Sequence, residues 1–115
     1  MRIVKLFILI LFVQLAVAQN SGNNSIKILS QKKGVSIRGL AVPNSNTIWA
    51  SGSKGSIAKS VNGGADFEWM QVKGYESRDF RSIHAWDDKE AIIVAIAAPA
   101  IILKTKDGGT SWYKV

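Results

Sequence analysis

The chain has 115 residues, no cysteine, one histidine (His84) and a formal net charge of +7. That length suits one small domain, and the missing cysteines exclude disulfides, thiolate metal sites and thiol nucleophiles, while a lone histidine argues against a zinc enzyme or a catalytic triad. The basic residues are scattered, with Lys32-Lys33 the only adjacent pair, so the charge reads as a soluble surface and no nucleic-acid partner is expected.

The N-terminus carries an address. Met1 to Lys5 is a short basic start, Leu6 to Leu15 is apolar except for Gln14, and Ala16-Val17-Ala18 supplies the small residues of a cleavage site. This three-part pattern predicts a signal peptide over 1–18, cut after Ala18 to leave Gln19 first, and hence a secreted or periplasmic protein with no membrane span after cleavage. Residues 19–25 (QNSGNNS) read as a flexible lead-in.

An all-β unit is expected over 26–115. Ile26–Leu29 reads as a stray strand ahead of two related units, 36–73 and 79–115. The first unit gives strands at Ile37–Val42, Thr47–Ser51, Ser56–Ser60 and Phe67–Val72. The second gives Phe80–Ala85, Ala91–Ile96, Ile101–Thr105 and Trp112–Val115. β-branched and aromatic residues fill the strands, and Gly, Asn and Pro fill the gaps. The apolar stretch from Ala91 to Leu103 is too short to span a bilayer and is divided by Pro99. It fits two short buried strands joined at Ala97–Ala100.

The two units are copies. Asn62-Gly63-Gly64 and Asp107-Gly108-Gly109 lie 45 positions apart, whereas Ser36–Leu40 and Asp79–Ile83 lie 43 apart. The two-residue difference is expected in the turn near Asn44-Ser45 or Asp87-Asp88. Four short strands in about 45 residues is the size of one propeller blade.

Thr105-Lys106-Asp107-Gly108-Gly109-Thr110-Ser111-Trp112 fits the Asp-box pattern S/T-x-D-x-G-x-[S/T]-W. Its carboxylate suits a hairpin whose turn N–H groups lack strand partners, and its glycines permit positive φ. Ser60, Asn62 and Gly64 form a degenerate first copy, with Asn in place of Asp and Trp69 two residues further along than Trp112. Asp107, with Thr105, Gly109, Ser111 and Trp112, is expected to brace a turn. One carboxylate offers neither the oxygen set of a calcium site nor the pair used in glycoside hydrolysis.

The runs Phe80–Ile83, Lys104–Trp112 and Trp49–Ile57 resemble the photosystem II stability/assembly factor-like family, which is related to the Asp-box, or bacterial neuraminidase repeat, propellers. The resemblance covers Ile26 to Val115. It implies a non-catalytic propeller module that binds another protein or helps assemble a complex, without cofactor or metal. Two blades do not close a ring, so the sequence reads as the N-terminal piece of a propeller or as a unit whose copies assemble. Arg38 and Arg81 are repeated charges, each near the start of its unit's first strand. First strands line a propeller's channel, so the two arginines are candidate donors to a carboxylate or peptide, with a structural ion pair as the alternative. A fragment of a sialidase-like glycoside hydrolase is the competing reading. Such hydrolases pair a tyrosine with a glutamate, but Tyr75 and Glu76 are adjacent in a loop and, with Arg78, read as linker residues. His84 beside Trp86 reads as packing.

Overall fold

The computed structural model describes residue 22 and residues 24–115. The expected signal peptide, its cleavage point and most of the lead-in lie outside the described residues. Eight strands follow in chain order: β1 (Ile37–Ala41), β2 (Ile48–Gly52), β3 (Ser56–Ser60), β4 (Glu68–Gln71), β5 (Ser82–Ala85), β6 (Ala91–Ala95), β7 (Ile101–Thr105) and β8 (Tyr113–Lys114). They form two four-stranded antiparallel sheets, each with its strands side by side in sequence order. The all-β expectation therefore holds, and all eight strands lie within two residues of their expected ends.

Strand register aligns the two sheets. Lys59 faces Glu68 across the third and fourth strands of the first sheet, as Lys104 faces Tyr113 in the second. Trp49 opposite Lys59 likewise matches Ile92 opposite Lys104. The first turns of the two sheets are the same: Asn44 Oδ1 accepts the N–H groups of Asn46 and Thr47, and Asp87 Oδ1 those of Lys89 and Glu90. The two-residue difference is therefore not near Asn44 or Asp87. It falls in the turn between the second and third strands. Lys54 and Gly55 there have φ of 56° and 64°, with Ser56 N–H bonded to Ser53 C=O, the backbone of a two-residue hairpin. The Ala97-Ala98-Pro99-Ala100 segment has no glycine for such a turn and takes a longer loop. Arg78 holds that loop, donating from Nη2 to the carbonyls of Ala97 and Pro99, each at 2.8 Å.

Residues 26–29, expected as a strand, carry no strand pairing. They run against the first sheet, where Trp69 Nε1 donates to Ser30 Oγ and Leu29 packs on Gly64 much as Met70 packs on Gly109.

The core lies between the sheets. Trp49, Ile57 and Val72 of the first meet Phe80, Ile83, Ala91, Ile93 and Leu103 of the second. Polar groups cross the same seam. Trp49 Nε1 donates to Asp87 C=O, Ser51 Oγ to Phe80 C=O, and Lys59 Nζ to the carbonyls of Asp88 and Gly108. The Lys59 ammonium lies 4.8 Å from the centroid of the Trp49 ring, and Trp112 meets that ring edge-on at 6.3 Å.

The turns at 60–67 and 105–112 share one bonding scheme. Thr105 Oγ1 donates to Asp107 Oδ1 and accepts the N–H of Gly109; Asp107 Oδ1 also accepts the N–H of Ser111, whose hydroxyl donates to Oδ2. In the first copy Ser60 Oγ donates to Asn62 Oδ1 and accepts the N–H of Gly64, and Asn62 Oδ1 accepts the N–H of Asp66. Gly64 and Gly109 both sit at φ of 92°, which favours glycine. By this register Phe67, not Trp69, stands where Trp112 stands. Trp69 lies two residues on, opposite Ala58 in β4. The three polar partners from Ser111 and Thr105 lower the Asp107 pKa from the ordinary 3.8 to about 2.

Two outcomes are expected. Trp49→Ala removes a fully buried indole and its bond across the seam and lowers stability by about 3–5 kcal/mol, read from urea unfolding by circular dichroism. A carboxyl with a depressed folded pKa stabilises above its unfolded pKa and loses that contribution as pH falls toward its folded pKa. Thermal melts of Asp107→Asn and wild type should therefore differ most above pH 3.8 and converge as pH approaches about 2.

Candidate functional site

The inner strands β1 and β5 lie side by side. Their close approach depends on Gly39. A Cβ there would stand 2.6 Å from Ser51 Oγ and 3.1 Å from the backbone nitrogen of Ile83, so a larger residue must displace the Ser51 hydroxyl from its bond to Phe80 and press on the neighbouring inner strand. Arg38 sits just before Gly39, at a register shift in the β1–β2 ladder. Such a bulge re-aims one side chain out of the strand's alternation. Arg81 sits one residue before β5, its own N–H bonded to Val94 C=O.

This placement brings the two arginines to a single carboxylate. Asp79 Oδ2 lies 3.4 Å from Arg38 Nε and 3.7 Å from Arg81 Nε. The other oxygen, Oδ1, is buried and has no hydrogen-bond partner. Two guanidinium groups thus share one acid, leaving one net positive charge. Both arginine side chains are about half exposed, at 43% and 55%. A guanidinium carries five N–H donors in a planar fork, so contacts through Nε leave the outer edges of both forks available to a second carboxylate. Arg38 pairs with Asp79 across the seam, Arg81 pairs with it within the second unit, and both guanidinium groups keep exposed N–H groups.

Asp79 was missed in the sequence reading. Its signal was local: an acid two residues before Arg81, where the first unit has Ser36. Lys59 and Trp49 were missed as links across the seam, since nothing in their spacing pointed to the neighbouring unit. The other candidate positions lie elsewhere. Ser60, Asn62, Gly64, Thr105, Asp107, Gly109, Ser111 and Trp112 make the turns described above. Tyr75 packs its ring against Phe80 at 6.5 Å, and Glu76 accepts the N–H of Gly74, which lowers its pKa. His84 meets Trp86 edge-on at 4.8 Å, on a face that also carries Lys104 over the Trp86 ring. No group of three His, Cys, Asp or Glu among the described residues could hold a metal ion. No helix among them is long and apolar enough to cross a membrane.

No family model and no curated protein matches the chain. Among solved structures it is similar to YCF48 bound to D1 peptide, with 26% identity over 70% of this chain and 26% of that one, at a TM-score of 0.58. It is also similar in fold to YCF48 from Cyanidioschyzon merolae, with 20% identity over 77% of this chain and 29% of that one, at a TM-score of 0.59. The chain spans between a quarter and a third of the YCF48 structures it matches. YCF48 is a photosystem II assembly factor and a β-propeller. In fold the chain is similar to part of these YCF48 structures, a pair of four-stranded sheets of the propeller type.

Proposed function

We propose that the chain is an exported, non-catalytic binding module that grips an acidic or C-terminal carboxylate of another protein through Arg38 and Arg81. The observation carrying this reading is the shared acid. Asp79 pairs with both guanidinium groups yet neutralises only one, beside the inner strands. Charge-assisted, forked hydrogen bonds from arginine to a carboxylate are among the stronger polar contacts in proteins. The structure of YCF48 with a D1 peptide supports a protein partner for this fold. Export rests on the pattern of residues 1–18. The turns read as Asp-boxes act as scaffold, because their carboxylate and hydroxyls are consumed by the turn itself.

The test is binding of a labelled hexaglutamate peptide, followed by fluorescence anisotropy at low salt. Arg38→Ala and Arg81→Ala should each weaken binding about tenfold, the loss of one charge-assisted bond. Asp79→Asn should strengthen it, since both cations are then unneutralised. Weaker binding by Asp79→Asn, or arginine variants that lower the melting temperature and leave binding unchanged, would assign the cluster to structure alone. Export is checked separately by N-terminal sequencing of the protein recovered outside the cytoplasm. Gln19 is the expected first residue, and an intact Met1 would refute it.

A further inference from the structure

The surfaces that join the two sheets are present a second time, unused, on the outer sides. By strand register Leu40, Val42, Ile48, Ala50 and Ala58 occupy the places of Ile83, Ala85, Ala91, Ile93 and Leu103. The second set is buried against the first sheet. The first set lines an open groove of about 330 Å³, with Leu40 66% and Val42 58% exposed. The lysine part of the polar seam is duplicated too, whereas Ile92 and Val94 stand where Trp49 and Ser51 donate across the seam. Gly63 N–H bonds Asn46 C=O at 2.9 Å, as Gly108 N–H bonds Lys89 C=O at 2.9 Å. The carbonyls of Ser45 and Gly63 therefore stand where those of Asp88 and Gly108 receive Lys59, but without an ammonium group.

The opposite outer side carries the mating set. Ile92, Ile102 and Lys104 hold the places of Trp49, Ile57 and Lys59. Ile102 is 44% exposed, and among the described residues the Lys104 ammonium meets Glu90 at 3.6 Å and the Trp86 face. Residues 28–30 border the groove where an incoming sheet's outer strand would run. The chain's own outer strand at the other end, β8, is two residues long.

We propose that the groove receives a second copy of this chain, docked head to tail. The incoming second sheet seats Ile92 and Ile102 against Leu40 and Val42, and its Lys104 leaves Glu90 for the carbonyls of Ser45 and Gly63. Residues 28–30 replace the incoming β8 as fourth strand. The interface uses the strand positions of the one already inside the chain, with its lysine-to-carbonyl pairing and with Ile92 and Val94 in place of Trp49 and Ser51. The two surfaces differ, so the contact is heterologous. Each added copy leaves one groove and one mating face free, and association proceeds to a ring or a filament.

Light scattering on the purified protein should show a mass above the monomer that rises with concentration. Leu40→Asp blocks the groove and Ile102→Asp blocks the mating face, so each variant alone should be monomeric with an unchanged circular dichroism spectrum. Mixed in equal amounts, they retain one intact groove and one intact mating face between them, and a 1:1 dimer and nothing larger is expected. Wild type that stays monomeric leaves the groove to a further repeat or a different protein and overturns the proposal; so does a mixture that stays monomeric. Should either aspartate variant fail to fold, Leu40→Cys and Ile102→Cys preparations can be mixed and treated with a short bis-maleimide. The sequence has no other cysteine, so a cross-linked heterodimer supports the docking and its absence refutes it.

Discussion

Trp49 is gripped on several sides by the neighbouring sheet. Its indole N–H is bonded to Asp87 C=O, its ring receives the edge of Trp112, and the Lys59 ammonium sits over it while bonding two carbonyls of the same neighbour. Each four-stranded sheet has only a thin apolar face of its own, and neither could bury it alone. Docking therefore does more than add area. It supplies the partners for a buried indole N–H, for the Ser51 hydroxyl and for carbonyls at the tips of two turns, groups that would be costly to leave unpaired. Apolar burial favours the sheets meeting, and the polar pairs fix the register in which they meet.

That register is what assembles the arginine cluster. Arg38 belongs to one sheet, while Asp79 and Arg81 lead into the other. They converge because Gly39 lets the inner strands approach and because the seam sets how far each has slid past the other. The cluster is thus a product of docking, and a change at Trp49 would be felt at Arg38 through the position of the strand.

The strands were legible because each is a short run of apolar and β-branched residues between turn formers. The repeat was legible because Gly-Gly and its flanking hydroxyls recur. Three things were not. The place of the two extra residues is hidden in the sequence because Asn44 and Asp87 are different residues, and only the bonding shows that their turns are equivalent. The motif letter Trp points to Trp69 as the aromatic of the first turn, whereas strand register gives that position to Phe67. Asp79 escaped because sequence spacing cannot show that a residue of one repeat faces an arginine of the other.

The Trp49–Trp112 pair has an optical consequence. Two indoles with centroids 6.3 Å apart and planes at 81° are close enough for their transition dipoles to couple, and a non-parallel pair of coupled chromophores yields a signed circular-dichroism couplet. One indole sits on each sheet, so the couplet exists only while the sheets are docked. The molecule thereby carries an intrinsic gauge of its own seam, separable from the backbone signal that reports the strands.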